Sequence, residues 1–129
     1  MVCCMNAGCA GSALGIANES PEELKSRSNE QLCMAYNASP RPAVKAELVY
    51  RKALTEAEWQ LVEKKTIAIG MSKPALICSW GVIYEGVTGS VNTTIVAGQT
   101  NEQWVYREST LTKPTYVYLK NGFVTAIQN

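Results

Sequence analysis

The stretch TYVYLKNGFVTAIQN (115–129) decides how this chain folds. Asn121-Gly122 is the dipeptide preferred in type I′ turns, because both of its residues readily adopt a positive φ. Strand-forming residues precede and follow it, so the pattern predicts a β-hairpin. With a two-residue turn, the predicted register pairs Leu119 with Val124, Val117 with Ala126, Tyr118 with Thr125, and Tyr116 with Ile127.

One segment upstream of the hairpin extends the predicted sheet to three strands. QWVYRE (103–108) alternates, with Trp104 and Tyr106 on one face of a strand. VNTTIVA (91–97) is rich in β-branched residues, and QTNE (99–102) is typical of a turn. Because one face of a sheet must be buried, the pattern predicts an α+β fold in which short helices pack on one face of a three-stranded antiparallel sheet.

Capping boxes mark the starts of three helical pieces in the first half of the chain. SPEE places Ser20 at an N-cap, SNEQ places Ser28 there, and TEAE places Thr55 there. A further helix is predicted over 43–54, with Val44 and Leu48 on one side. Each piece carries a narrow apolar stripe, so all of them must pack on something else.

One more helix is predicted within IAIGMSKPALICSWG (67–81). Ser72 can cap it, Pro74 lies in its first turn, and Gly81 lies where a left-handed C-terminal cap is expected. Its apolar residues recur three to four positions apart: Leu76, Ile77 and Trp80.

Composition excludes several classes of function. The chain has 129 residues, a net charge of +1 and no histidine. Its scattered basic residues form no stripe, so nucleic-acid binding is not expected. Without histidine, a Ser-His-Asp or Cys-His site cannot be built within this chain. The acidic residues near helix starts are explained by capping, so neither an enzyme nor a cofactor is predicted.

The five cysteines do not suggest a metal site. They are Cys3, Cys4, Cys9, Cys33 and Cys78. Their spacing does not fit structural zinc, and an odd number leaves at least one thiol unpaired. Cys33 and Cys78 are interpreted as small buried hydrophobic residues, with a disulfide between them as the alternative. A thiol enzyme using Cys78 is disfavoured, because Cys78 lies towards the wrong end of its helix for activation.

The segment NAGCAGS (6–12) looks like the end of a bacterial lipoprotein signal. Small residues precede Cys9 and a Gly/Ser-containing tether follows, although Asn6 stands where an aliphatic residue is usual. Two interpretations are open: a signal whose upstream part lies outside this sequence, with lipid attached to Cys9, or a cysteine-bearing disordered tail. No stretch approaches the roughly 20 apolar residues of a spanning helix, so any membrane link would be a lipid anchor.

Three ordered motifs over 67–129 resemble the SmpA/OmlA (BamE-like) family of small outer-membrane lipoproteins. The family pattern is an I-x-x-G-M-[S/T] helix start closed by a glycine, a W-x-Y strand, and a final hairpin. The matching residues are Ile67, Gly70, Met71, Ser72, Gly81, Trp104, Tyr106, Leu119, Asn121, Gly122 and Val124. Val82 departs from the proline usual in the family, and the helical segment 20–65 is longer than the family's preceding part.

The resemblance implies an ααβββ (BamE/BLIP-like) fold, also found in β-lactamase-inhibitor proteins, with an extra N-terminal helical segment. The chain then divides into a tail or signal remnant (1–19), a helical segment (20–65) and a BamE-like domain (66–129). The expected function is that of a non-catalytic protein-interaction and assembly module on the periplasmic side of the cell envelope. Lipid on Cys9 would anchor it to the outer membrane. The alternative is a soluble inhibitor or immunity-type protein that binds an enzyme through its sheet face.

The predicted protein-binding residues are aromatic or basic and lie on the predicted strands or next to them. Their types dominate the energetics of protein interfaces, although a place in the core is the competing interpretation. They are Trp104, Tyr106, Arg107, Tyr116 and Tyr118.

Overall fold

A computed structural model of the protein describes residues 12–83, 89–107 and 113–129. Within them the chain is α+β, which confirms the predicted class. The helices are α1 (Ala13–Ala17), α2 (Pro21–Leu24), α3 (Asn29–Ala38), α4 (Pro42–Tyr50), α5 (Glu56–Glu63) and α6 (Lys73–Trp80). The strands are β1 (Gly89–Val96), β2 (Gln99–Tyr106), β3 (Thr115–Lys120) and β4 (Phe123–Gln128).

The described residues form two compact units. The helical unit comprises 12–66 and Pro74–Gly81, so it contains α1 to α5 and nearly all of α6. The sheet unit comprises Ile67–Lys73 and the described residues from Val82 onward, and it contains all four strands.

The capping boxes predicted from the sequence are confirmed. Ser20, Ser28 and Thr55 each accept a hydrogen bond from the backbone N–H three residues on, and the side chain there accepts one in return. Helix α4 ends at Tyr50, before the predicted residue 54, because Lys52 adopts a left-handed φ of 55° that a helix cannot continue through.

Arg51, directly after α4, binds the connection between α2 and α3. Its side chain is 21% exposed. Its guanidinium donates to Glu47 Oε2 (2.7 Å), Arg27 O (2.6 Å), Asn29 Oδ1 (3.1 Å), Leu24 O (3.0 Å) and Lys25 O (3.0 Å). The planar fork of arginine therefore satisfies carbonyls at the end of α2 that have no partner within that helix.

Replacing Arg51 by lysine is expected to lower the free energy of unfolding by about 2 kcal/mol, because an ammonium group cannot reproduce the fork. Urea denaturation measures the loss. Arg41→Lys is the matched control, since Arg41 is exposed and makes no side-chain cap hydrogen bond at the start of α4. Equal stability of the two variants would contradict the role given to Arg51.

Cys33 of α3 and Cys78 of α6 form a disulfide within the helical unit, with their Cα atoms 4.3 Å apart. The interpretation as separate buried thiols is therefore wrong, and the alternative is confirmed. Asn37, one turn after Cys33, donates its side-chain amide to the carbonyl of Ser79 at 3.2 Å. The same amide occupies the space of a Cβ at Gly81, whose φ is +85°, so no other residue fits there without strain.

The sheet has four antiparallel strands in the order β1-β2-β3-β4, so the predicted number of three is wrong. Ala97 and Gly98 have φ values of 52° and 79° and form a second two-residue turn. Because this turn joins β1 to β2, residues 99–102 belong to a strand and not to a turn. Ala-Gly is not one of the dipeptides that signal such a turn.

The register of the final hairpin was predicted correctly only beside its turn. Asn121 and Gly122 both have positive φ, and Leu119 lies opposite Val124 as predicted. A β-bulge then inserts Thr125, which donates its hydroxyl to Tyr118 O at 3.2 Å. The three remaining predicted pairs are wrong by one residue, and the observed pairs are Tyr118 with Ala126, Val117 with Ile127, and Tyr116 with Gln128.

The two faces of the sheet differ in exposure. Residues directly opposite each other share a face. The inner face carries buried residues, namely Glu102, Trp104, Val117, Leu119 and Val124. The open face carries mainly partly or fully exposed residues, among them Asn92, Gln103, Tyr116, Tyr118 and Gln128. Val105, opposite Tyr116 on this face, is the exception and is 7% exposed.

Candidate functional site

The predicted binding residues do not form one surface. Trp104 is 5% exposed on the inner face, and the Tyr106 ring lies 6.1 Å from it, centroid to centroid. Burial raises the pKa of the Tyr106 hydroxyl, which keeps the phenol neutral. Tyr116 and Tyr118 lie on the open face, and Arg107 is exposed just after β2. The tyrosines of β3 are therefore the aromatic residues of this set that a partner can reach.

A charged cluster fixes Trp104 on the inner face. Glu102 is 8% exposed, and its Oε1 accepts from Trp104 Nε1 at 3.0 Å. Lys73 Nζ lies 3.1 Å from the same oxygen and 5.6 Å from the centroid of the Trp104 ring. The ammonium thus pairs with the carboxylate and contacts the negative face of the indole.

Sequence reasoning missed both Lys73 and Glu102. One signal could have found Glu102: it lies two residues before Trp104, so strand alternation places a carboxylate on the same face as a large aromatic. A charge on a buried face requires a partner. The identity of that partner, a lysine 29 positions earlier in the chain, has no signature in the sequence.

The cluster is best explained as a structural ion pair. Its carboxylate already receives an indole N–H and an ammonium group. In the described ranges, every buried side-chain nitrogen and oxygen has a hydrogen-bond partner. Those ranges also contain no group of three His, Cys, Asp or Glu residues placed to hold a metal ion.

Replacing Lys73 by methionine is expected to lower the free energy of unfolding by about 2 kcal/mol, because the Glu102 carboxylate stays buried without its cation. Adding Glu102→Gln to that variant should restore part of the loss, since the amide oxygen still accepts from Trp104. Lys120→Met, at an exposed position of β3, serves as the control. If the two substitutions changed the free energy of unfolding additively, Lys73 and Glu102 would not interact energetically, and the role given to the ion pair would be wrong.

The open face carries a hydrogen-bonded ladder of side chains across all four strands. Asn92 Nδ2 donates to Gln103 Oε1 at 3.1 Å, and Gln103 Nε2 donates to the Tyr118 hydroxyl at 3.2 Å. The Tyr118 hydroxyl in turn donates to Gln128 Oε1 at 3.2 Å. Among the described strand residues of this face, Lys120 is the only charged one.

This face combines two phenol rings with neutral amide donors and acceptors. Tyrosine contributes a large contact area with a polar tip, and amides adapt their hydrogen bonds to a partner's backbone. Phe123, 55% exposed and opposite Lys120 at the hairpin end, adds apolar area to the same face. The chemistry suits a neutral, partly apolar protein surface.

Comparisons of the chain with protein-family models, with curated proteins and with solved structures found no match in any of the three. The family suggested by the motifs therefore stays a prediction. The helices that the structure describes are all too short or too polar to cross a membrane. Cys9, the predicted lipidation site, lies outside the described residues.

Proposed function

We propose that this protein is a non-catalytic interaction module of the bacterial cell envelope, of the SmpA/OmlA type, that binds a partner protein through the open face of its sheet. The observation that carries the proposal is the uncharged ladder of Asn92, Gln103, Tyr118 and Gln128, with Tyr116 beside it. The ααβββ (BamE/BLIP-like) fold type that the resemblance implies belongs to the same proposal.

The ladder supports binding because it orients the residues that would make the contact. Tyr118 is held by an amide on each side, so little rotational freedom is left for a partner to restrict. Tyrosine is among the residue types that carry most binding energy at interfaces. We therefore assign the binding role to Tyr116 and Tyr118, while buried Trp104 supports the sheet from its other face.

The disulfide supports a location in the envelope. Structural disulfides form and persist in oxidising compartments such as the bacterial periplasm, and they are rare in the cytosol. The bond between Cys33 and Cys78 is buried in the helical unit, so other thiols cannot reach it, as is typical of a structural disulfide. Lipid on Cys9 would place the module at the outer membrane.

Site-specific photocrosslinking in the source bacterium tests the proposed partner. Benzoylphenylalanine at Tyr118 is expected to capture an envelope protein, and Gln103→Lys in the same chain should abolish the adduct by placing a charge on the face. Tyr50, which is 83% exposed in the helical unit, is the control position. The same adducts from both positions would contradict the proposal. Capture of one soluble enzyme would instead favour the inhibitor alternative.

Binding should depend on the tyrosines more than stability does. Tyr116→Ala with Tyr118→Ala is expected to raise the Kd for the partner identified by crosslinking by tenfold or more, which corresponds to roughly 1.4 kcal/mol or more. Thermal denaturation separates this effect from unfolding. A variant that unfolds readily but still retains its partner would contradict the assignment.

The lipid anchor has its own test. Metabolic labelling with an alkyne fatty acid in the source bacterium is expected to mark the chain, and Cys9→Ala should remove the label while Cys3→Ala keeps it. A full-length precursor that takes up no label and stays in the cytosol would eliminate the anchor. The interaction role of the open face does not depend on this outcome.

A further inference from the structure

The turn between β3 and β4 contains a side chain that can react with its own backbone. Asparagine is a thermolabile residue, because the backbone nitrogen of the next residue can attack its carboxamide carbon. Gly122 leaves that nitrogen unhindered, and among the described residues nothing lies within 4 Å of the place where a Cβ would be. Asn121 is exposed, so water reaches it. The dipeptide that suits the turn is therefore also suited to deamidation.

Hydrogen bonds to two other segments hold both residues of this turn. Asn121 Oδ1 accepts from Thr100 N at 2.9 Å, and Asn121 N donates to Thr100 O at 2.8 Å. The carboxamide thus takes the place of a backbone carbonyl and extends the pairing of β2 with β3 beyond Lys120. Gly122 O accepts from Lys73 N at 2.8 Å. The reactive side chain is therefore bound to a neighbouring strand.

We propose that Asn121 is a deamidation site that the folded sheet protects, so that the modification marks chains in which the β3–β4 turn has come away from β2. In the reaction, Gly122 N forms a bond to Asn121 Cγ and the Cγ–Nδ2 bond breaks. The side-chain nitrogen takes up the proton of the Gly122 amide and leaves as ammonia. Water then opens the five-membered imide, at one carbonyl to give aspartate and at the other to give isoaspartate.

Protection follows from the geometry of ring closure. The carboxamide carbon of Asn121 must turn towards the nitrogen of Gly122, so its oxygen has to release Thr100 N. The backbone rotation that brings the two atoms together also displaces the Gly122 carbonyl from Lys73 N. Because these hydrogen bonds have to break first, the reactive conformation is populated when the turn opens locally.

The modification is irreversible and weakens the turn in which it occurs. Either product adds a negative charge next to Lys120. Isoaspartate also lengthens the main chain of a two-residue turn by a methylene group. The spacing between Asn121 N and Gly122 O then no longer matches their partners on Thr100 and Lys73. A chain that has opened once is therefore marked covalently and opens more readily afterwards.

Ageing of the full chain at neutral pH, followed by peptide mapping with mass spectrometry, tests the protection. Ala97→Asn supplies a matched control in the same molecule, because it creates a second Asn-Gly dipeptide in the β1–β2 turn, which also has two positive φ values. Thr100 N is already bonded to Asn121 and cannot hold the new side chain. In the folded chain we expect Asn121 to deamidate roughly fivefold or more slowly than the new site, the factor for a hydrogen bond of ordinary strength.

The same measurement in urea should remove the difference between the two sites. Equal rates at the two sites in the folded chain overturn the proposal, and so does a rate at Asn121 that urea leaves unchanged.

Substitutions of Thr100 test the clamp itself. Thr100→Pro removes the N–H that holds Asn121 and keeps the carbonyl, whereas Thr100→Ala keeps both. We expect Thr100→Pro to raise the rate of deamidation at Asn121 by roughly fivefold, and Thr100→Ala to leave it unchanged. Circular dichroism establishes that each variant is folded, and the comparison with Ala97→Asn decides the matter if Thr100→Pro does not fold. A folded Thr100→Pro variant with an unchanged rate overturns the proposal.

Discussion

Replacing Cys33 and Cys78 together by alanine is expected to lower the free energy of unfolding of the helical unit by about 4 kcal/mol, the chain-entropy value for a loop of this length. The two residues are 45 positions apart, so the bond restricts much of the unfolded chain of this unit. Both sulfurs are buried, and changing both residues avoids leaving an unpaired thiol. Urea denaturation with and without reductant measures the effect.

The reductant provides an internal control. The unaltered chain should lose stability on reduction, whereas the double alanine variant should be insensitive to it. Replacing Cys3, Cys4 and Cys9 by serine should leave both the stability and the response to reductant unchanged. An unfolding midpoint that reductant does not shift in the unaltered chain would mean that the two sulfurs are not bonded in solution.

Trp104→Ala is expected to cost about 3 to 5 kcal/mol, the range for a buried tryptophan. Its side chain is 5% exposed, and its indole N–H is a hydrogen-bond donor to the buried Glu102 carboxylate. The substitution therefore opens a cavity and removes one of the partners of a buried charge. Trp104→Phe keeps most of the ring and removes only the N–H, so we expect a smaller loss of about 1 to 2 kcal/mol.

Chemical denaturation of both variants separates packing from hydrogen bonding. Tyr50→Ala is the control, because Tyr50 is 83% exposed and its loss should change stability by less than about 0.5 kcal/mol. A Trp104→Ala variant that stays stable but no longer captures a partner would place this residue at an interface. The assignment of the inner and open faces would then have to be reversed.

Local features of the fold were predictable because local sequence controls them. The three capping boxes depend on residues three positions apart, and all formed as predicted. The Asn121-Gly122 turn depends on two residues that tolerate positive φ. In each case the stabilising contact and the sequence pattern cover the same few residues.

The errors arose where a distant contact or a weak local preference decided the outcome. Ala97-Gly98 forms a turn between β1 and β2 although it lacks the favoured composition, so one strand was missed. The bulge at Thr125 shifts the hairpin register by one residue, and no local sequence pattern predicts this bulge. Of the predicted binding residues, Trp104 proved to be buried, because strand alternation predicts a shared face but not which face is covered.

By itself, the sequence determined the helix starts, the final hairpin turn and the α+β class, since these follow from capping, turn preference and periodicity along the chain. Only the tertiary structure decided that Cys33 meets Cys78, that Lys73 meets Glu102, and that the tyrosines of β3 lie on the open face. These pairings join residues 45 and 29 positions apart. The physical reason is that burial and pairing depend on how distant segments pack. A local sequence pattern does not indicate which distant segment a residue will contact.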